Sequence, residues 1–374
     1  MNKEGKKNNS DNNKSPSLYQ QADSFLVRLQ WVSSTEKLFF IQHLGIMVKS
    51  GISLARALET LSKQTNNKRF QKILMDIAHR VEKGQTLSES MEAHCDVFSE
   101  LFINMINAGE TSGKLEEVLH QLYKQMKKDH QLMAKIRGAL TYPAVIFVAM
   151  VGIGIGMMVF VVPRMLDIFR DVNMELPLMT RMLIVISDAI SNQGIFVVII
   201  LAILIIIFWQ TLKTKSGRYY WQWLILYLPI ISPIIKKINL ARFARTMSSL
   251  LQTDIKIVES FNITAKTLGN LHYRQSLEQA AEKVKKGEDI NKVLATYPHL
   301  YSHVILQMIS VGEETSQLDK VLAEVASFYE ESVQEVMDTL PSIIEPVIIL
   351  VLASAIGAMA VAIIMPMYSL TNAF

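Results

Sequence analysis

The stretch Gly109-Glu110-Thr111-Ser112-Gly113-Lys114-Leu115-Glu116-Glu117-Val118-Leu119 returns, 203 residues later, as Gly312-Glu313-Glu314-Thr315-Ser316-Gln317-Leu318-Asp319-Lys320-Val321-Leu322. The same offset holds outward in both directions: Met105-Ile106 falls on Met308-Ile309, Gly84 on Gly287, Phe40 on Phe243, Pro143 on Pro346 and Pro163 on Pro366. An ungapped correspondence over 124 positions, from 40 to 163 in the first copy, predicts a duplicated structural unit.

The chain has 374 residues, half of them apolar, which is high for a soluble protein. Three uncharged runs account for the excess: 138–163, 189–212 and 346–374. Each exceeds the roughly 20 residues that cross a hydrocarbon core as helix, so transmembrane helices are expected at 139–163, 189–212 and 343–367. A shorter apolar stretch, 219–235, contains Pro229 and Pro233. Its two breaks would leave backbone groups unsatisfied in lipid, so 213–240 reads as an interfacial connector.

Residues 1–34 begin with a tract rich in Asn, Lys and Ser and read as a disordered tail with a lead-in, not a signal peptide. The single cysteine, Cys95, excludes an intrachain disulfide, and a net charge of +4 gives no reason to expect nucleic acid.

Lysine and arginine are unevenly placed, with 20 up to Arg137, three in 164–188, 15 in 213–345 and none beyond. The positive-inside rule puts both large polar segments, 35–138 and 241–342, in the cytoplasm with the N-terminus. The short loop 164–188 and the tail 368–374 are then external. Two parallel copies, each a polar domain followed by a span, need one further crossing to bring the second domain back. The unrepeated run 189–212 supplies it, a different arrangement from the inverted repeats of secondary transporters.

Within one copy the apolar positions recur at helical spacing, as in Phe70, Ile73, Leu74, Ile77 and Val81. Helices are expected at 35–49, 53–64, 67–83, 87–94, 98–108 and 114–138, and again 203 residues on. Gly84 and Gly109 sit where stripes stop and suit left-handed caps, Thr86 suits an N-cap, and Gly51 falls in an early turn of the first copy. The fold class is all-α: a polytopic membrane protein with two repeated cytoplasmic six-helix bundles and three transmembrane helices. Pro143 and Pro346 are expected near the first turn of a span, and Pro163 and Pro366 at its outer end.

No phosphate-binding loop, zinc-protease motif, paired-cysteine metal signature or nucleophile elbow is present, so neither catalysis nor a cofactor is expected. His299 and His303 share helical spacing but lack companion ligands, and no metal site is assigned to them. The apolar runs contain no Asp, Glu, Lys or Arg, which argues against the alternative of a transporter or channel subunit with cytoplasmic regulatory domains. They carry small-residue pairs instead, Gly152 with Gly156 and Ala353 with Gly357, suited to close helix packing or self-association.

The Gly109 to Leu115 segment, its second copy, and Ala241-Arg242-Phe243-Ala244-Arg245-Thr246 resemble the F-domain family of type II secretion, a resemblance that covers residues 35 to 374. It implies an inner-membrane platform of a type II secretion system, type IV pilus or competence pseudopilus. Such a platform couples a separate cytoplasmic hexameric ATPase to the handling of pilin or pseudopilin subunits, beside other inner-membrane assembly proteins. The chain departs from the family pattern at Ser316 and Asp254, where glycine is usual. Gly109, Glu110, Gly113, Gly312 and Glu313 are then candidates for a helix corner or a partner contact, with Glu110 placed to favour the N-terminus of the helix that follows.

One further pattern lies outside the motif. Under the offset, Lys127 and Lys128 fall on Glu330 and Glu331, giving the two membrane-proximal helices opposite charge. The expectation is that these helices face each other, within one chain or across a homodimer or higher homo-oligomer.

Overall fold

A computed structural model describes residues 30–164, 178–229 and 231–371, and among these every regular element is helical. The chain divides into two compact units. One comprises residues through Lys127 with Thr253–Ile255, and the other comprises Lys128–Gln252 and the chain from Lys256 onward.

The first unit contains α1 (Ser34–Lys49), α2 (Leu54–Gln64), α3 (Lys68–Glu82), α4 (Leu87–Glu92), α5 (Glu100–Ser112) and the start of α6 (Leu115–Gly156). Their starts are chemically marked. Ser33 and Glu36 form a capping box on α1, Asn67 accepts from the amides of Arg69 and Phe70, and Thr86 forms a second capping box with Glu89. Gly51 and Gly84 end α1 and α3 with φ of 76° and 91°, values that favour residues without a Cβ. The core is aromatic at its centre. Phe40, Phe70, Phe98 and Phe102 are buried, with neighbouring ring centroids 5.0 to 6.2 Å apart.

In the second unit, α7 (Leu178–Asn192), α8 (Gly194–Lys213) and α9 (Lys215–Ile225) precede α10 (Ile231–Gln252). Then follow α11 (Ile257–Thr267), α12 (Leu271–Val284), α13 (Ile290–Ala295), α14 (His303–Glu314) and α15 (Leu318–Thr371). The starts of α11 to α15 each lie 203 residues after those of α2 to α6. The second core keeps Phe243 but replaces Phe70 and Phe98 with Tyr273 and Tyr301. Both phenols are satisfied: Tyr273 donates to the Leu300 carbonyl at 2.7 Å and Tyr301 pairs with the Ser276 hydroxyl at 2.7 Å. Burial pushes both phenols up, so they remain neutral partners in those bonds.

Among the described residues, two helices are long and apolar enough to cross a membrane: the continuous run Leu115–Arg164, of 50 residues, and α15. A third candidate is the pair α8 and α9, bent by 95° at a break around Thr214. The expected loop 164–188 and span 189–212 correspond to a partly helical stretch and to the apolar helix α8. Residues 165–177 lie outside the described part, but α7 is helical where loop was expected, and a break at Gln193 starts the apolar helix α8 at Gly194. The signal missed was an apolar stripe between Arg181 and Asp188, too short to stand out by hydropathy. The α7 hydroxyls of Ser187 and Thr180 donate to the carbonyls of Met158 and Ala362 at 2.7 and 2.8 Å. Met158 belongs to the π-helical turn Met157–Val161, whose wider register weakens the ordinary helical ladder.

Pro143 and Pro346 lie inside the continuous helices α6 and α15, near the start of the apolar part of each. Pro163 is the last residue but one of the described run Leu115–Arg164, and the helical backbone of α15 continues past Pro366 to Thr371. Each proline removes one ladder bond, and long helices hydrogen-bonded on both sides carry the chain across the gap. Of the predicted tails, 1–29 and 372–374 lie outside the described residues, while 368–371 continue α15 as helix.

Candidate functional site

The repeated Gly-Glu-x-x-Gly segment occupies the end of α5, and its three positions do three different jobs. Gly109 is inside the helix, not at its end. A Cβ built there would lie 2.9 Å from Val118 Cβ and 3.2 Å from Leu115 Cα. Glycine is therefore required by the close approach of α5 to α6, and the expected left-handed cap at Gly109 is instead provided by Gly113, with φ of 71°.

Glu110 reaches backward rather than forward. Its carboxylate accepts from the Leu87 amide at 2.5 Å, the Ser88 amide at 2.8 Å and the Ser88 hydroxyl at 2.6 Å. With Thr86 accepting from Glu89, the first three amides of α4 are all satisfied. The sequence reading assigned Glu110 to the N-terminus of the following helix. It caps α4 because the chain folds α4 and α5 together, a relation across 22 and 23 residues that local spacing does not contain.

The second copy repeats the arrangement. Glu313 accepts from the amides of Ile290 and Asn291 at 2.7 and 3.0 Å, and a Cβ on Gly312 would lie 3.1 Å from Leu318 Cα. Ser316 takes the place of Gly113 and keeps the left-handed conformation at φ of 54°, as does Asp254, at 59°, in the place of Gly51. A side chain in this region costs about 1 to 2 kcal/mol. Ser316→Gly is therefore expected to stabilise the full-length protein by about 1 kcal/mol, seen as a higher midpoint in thermal unfolding. An unchanged or lower midpoint would show that the serine is not strained.

The charged membrane-proximal positions are only partly brought together. Lys128 lies 3.4 Å from Glu330, which also binds Arg245 at 2.7 Å, and Arg242 binds Asp129 at 2.9 Å. Lys127 instead sits over the Tyr123 ring, 5.7 Å from its centroid, and Glu331 is exposed. Below this cluster Val333, Met337 and Leu340 pack with Leu132, Ile136 and Ala139. Glu330 thus has an arginine of its own repeat as its nearer partner. Lys128→Glu is expected to lower thermal stability by roughly 1 kcal/mol, and adding Glu330→Lys should not restore it, because the new lysine would face Arg245. Only the further change Arg245→Glu is expected to rescue. Recovery with the first two changes alone would mean that Arg245 contributes little.

The small-residue pairs Gly152 with Gly156 and Ala353 with Gly357 are not filled within the chain. A Cβ at Gly152, Gly156 or Gly357 would meet nothing within 4 Å, and Ala353 is exposed. The described residues contain no cluster of His, Cys, Asp or Glu suited to a metal ion.

These features define a helical membrane protein built from two like halves, each closed by a glycine contact and a carboxylate cap. The chain belongs to the type II secretion system protein F family, whose model matches it twice, over residues 40–163 and 243–366. The two matches are themselves displaced by 203 residues. It is 35% identical over 331 residues, 88% of this chain and 81% of the relative, to a type IV pilus assembly protein PilC of Thermus thermophilus. Similarity extends to PilC of Myxococcus xanthus, 29% over 342 residues covering 91% and 82% of the two chains. It extends also to type II secretion system protein F of Vibrio cholerae, 29% over 341 residues covering 91% and 84%.

Proposed function

We propose that this chain is the non-enzymatic inner-membrane platform of a type IV pilus or type II secretion pseudopilus, coupling a cytoplasmic assembly ATPase to the insertion of pilin-like subunits. The observation that carries this reading is the double family match together with relatives named for pilus assembly and for secretion. In this reading two six-helix bundles, 35–138 and 241–342, lie in the cytoplasm, and three spans connect them. The N-terminus is cytoplasmic and the C-terminus external. The first bundle receives force from the ATPase, and the long helices α6 and α15 carry it into the membrane without a loop to absorb it. The unfilled small-residue faces at Gly152, Gly156, Ala353 and Gly357 suit pilin helices, another platform protein or a second copy of the chain.

Deleting the gene is expected to abolish surface filaments or secretion while leaving ATPase and pilin abundance unchanged. Normal assembly in the deletion strain would overturn the reading. The topology has its own test, because the exposed Cys95 is the chain's single cysteine. A membrane-impermeant maleimide should label Cys95 only after the membrane is breached. With Cys95 replaced, Asn173→Cys should be labelled from outside. The opposite pattern would invert the orientation.

A further inference from the structure

The second unit contains a cavity of about 730 Å³ between the connector and the second helical repeat. Its lining includes Tyr219, Trp223, Lys236, His272, Tyr297 and His299, and no aspartate or glutamate. Lys236 is half-buried. The His272 ring packs on Tyr219 with centroids 4.2 Å apart, and its Nε2 donates to the Tyr219 carbonyl at 3.2 Å. The Tyr297 hydroxyl donates to the Gln279 carbonyl oxygen, which leaves the Gln279 amide nitrogen free of that bond. The lining holds one lysine and further donors, with no acid to balance it.

The first copy shows what this surface is like when it is self-neutralised. The positions 203 residues earlier than His272, Gln279, Tyr297 and His299 are Arg69, Asp76, His94 and Asp96. There Arg69 pairs with Asp96, and Asp76 takes hydrogen bonds from Arg80 at 2.8 Å and His94 at 2.9 Å. Desolvation works against the ionised Asp76 carboxylate, yet these bonds hold its pKa below the usual carboxylate value. In the second copy both acids are gone, replaced by Gln279 and His299, while Lys236 stands where the first copy has Ser33. The substitutions remove two acids and one arginine and add one lysine, so this set of positions changes from net acidic to net basic, which leaves room for an external anion.

The position of the cavity says where that anion comes from. Its wall α9 begins two residues after the apolar helix α8 ends, and the chain turns by 95° between them. On and just after α9, Tyr220, Trp221, Trp223, Leu224 and Tyr227 are exposed. An aromatic helix lying across the end of a span belongs at the headgroup level of the bilayer. Lys213, Lys215 and Arg218 add the basic charge that anionic lipid attracts.

We infer that this cavity binds the phosphate of an anionic phospholipid headgroup, with Lys236 as its cation and the Gln279 side-chain amide and the His299 ring as hydrogen-bond donors. The lipid would fix the connector against the second repeat and so set the angle at which that repeat meets the membrane. The inference rests on α8 crossing the bilayer. Because it is read on purified protein, without ATPase or pilin, it can fail while the platform reading stands.

The test is native mass spectrometry of the full-length protein in detergent with phosphatidylglycerol, phosphatidylcholine or soluble glycerol phosphate. Phosphatidylglycerol should be retained over phosphatidylcholine. Lys236→Ala should reduce its retention about fivefold, by the loss of one interfacial cation. Restoring the acids of the first copy with Gln279→Asp and His299→Asp should reduce it further, and Lys285→Ala, an exposed lysine outside the cavity, should change nothing. Unchanged melting temperatures establish that the variants are folded. Equal retention by wild type and both cavity variants would overturn the site, and competition by glycerol phosphate at equal concentration would overturn its assignment to lipid.

Discussion

Glu110→Ala is expected to destabilise the first repeat by about 2 to 4 kcal/mol, because it strips charge-assisted bonds from two backbone amides and one hydroxyl that are shielded from water. Leu87, whose amide is one of the three donors, is fully buried. The change should open α4 locally before the repeat unfolds, so hydrogen exchange in the full-length protein should accelerate first at residues 87–91. Glu110→Gln should recover less than half of the loss, since its amide nitrogen confronts donors where the carboxylate oxygen accepted. Glu313→Ala should act likewise on α13. That helix is the more dependent of the two, because its N-cap residue Asp289 makes no side-chain bond to it, whereas Thr86 still caps α4. Exchange that is unchanged at 87–91 in Glu110→Ala would refute the capping role.

Gly109→Val should cost more than Gly109→Ala, and both more than the same changes at Gly312. The added Cβ at 109 meets Val118, which is buried, β-branched and nearly fixed in its rotamer on a helix. The nearest atom at 312 is the Leu318 Cδ1, at 3.0 Å, the end of a side chain that can turn away. Overpacking of this kind costs roughly 1 to 3 kcal/mol, and α5 would be pushed off α6 at the point where that long helix begins. Denaturant unfolding of the four variants in detergent reads the order directly. A Gly312 variant that loses as much as its Gly109 counterpart would show that the backbone contact, at 3.1 to 3.2 Å in both copies, decides the cost.

Much of the local structure was legible because its causes are local. Thr86, Gly84 and the apolar stripe of α3 mark helix ends and faces through residues a few positions apart, and the starts of α4 and α13 follow from them. The duplication was legible for a different reason: an offset needs only comparison, and glycines and prolines punctuate both copies alike. The role of Glu110 was hidden because its partners are 22 and 23 residues away and are chosen by the packing of α4 against α5. Gly109 was misplaced for the same reason, since a close helix crossing and a left-handed cap both call for glycine. The cavity at Lys236 gathers residues from the connector and from 272–300, a grouping that appears in no window of the sequence.

The two halves also differ in ways that bear on function. The first is closed on itself by Arg69 with Asp96 and by Asp76 with Arg80 and His94. The second turns an uncompensated cationic cavity toward the connector.

The platform reading is tested most directly by cross-linking the full-length chain in its own membranes, purifying it, and identifying what travels with it. The account predicts a cytoplasmic hexameric ATPase together with pilin-like subunits, with recovery of the ATPase lowered by Gly109→Val and not by Lys285→Ala. Recovery of neither partner, or substrate flux through liposomes containing the purified chain alone, would contradict it.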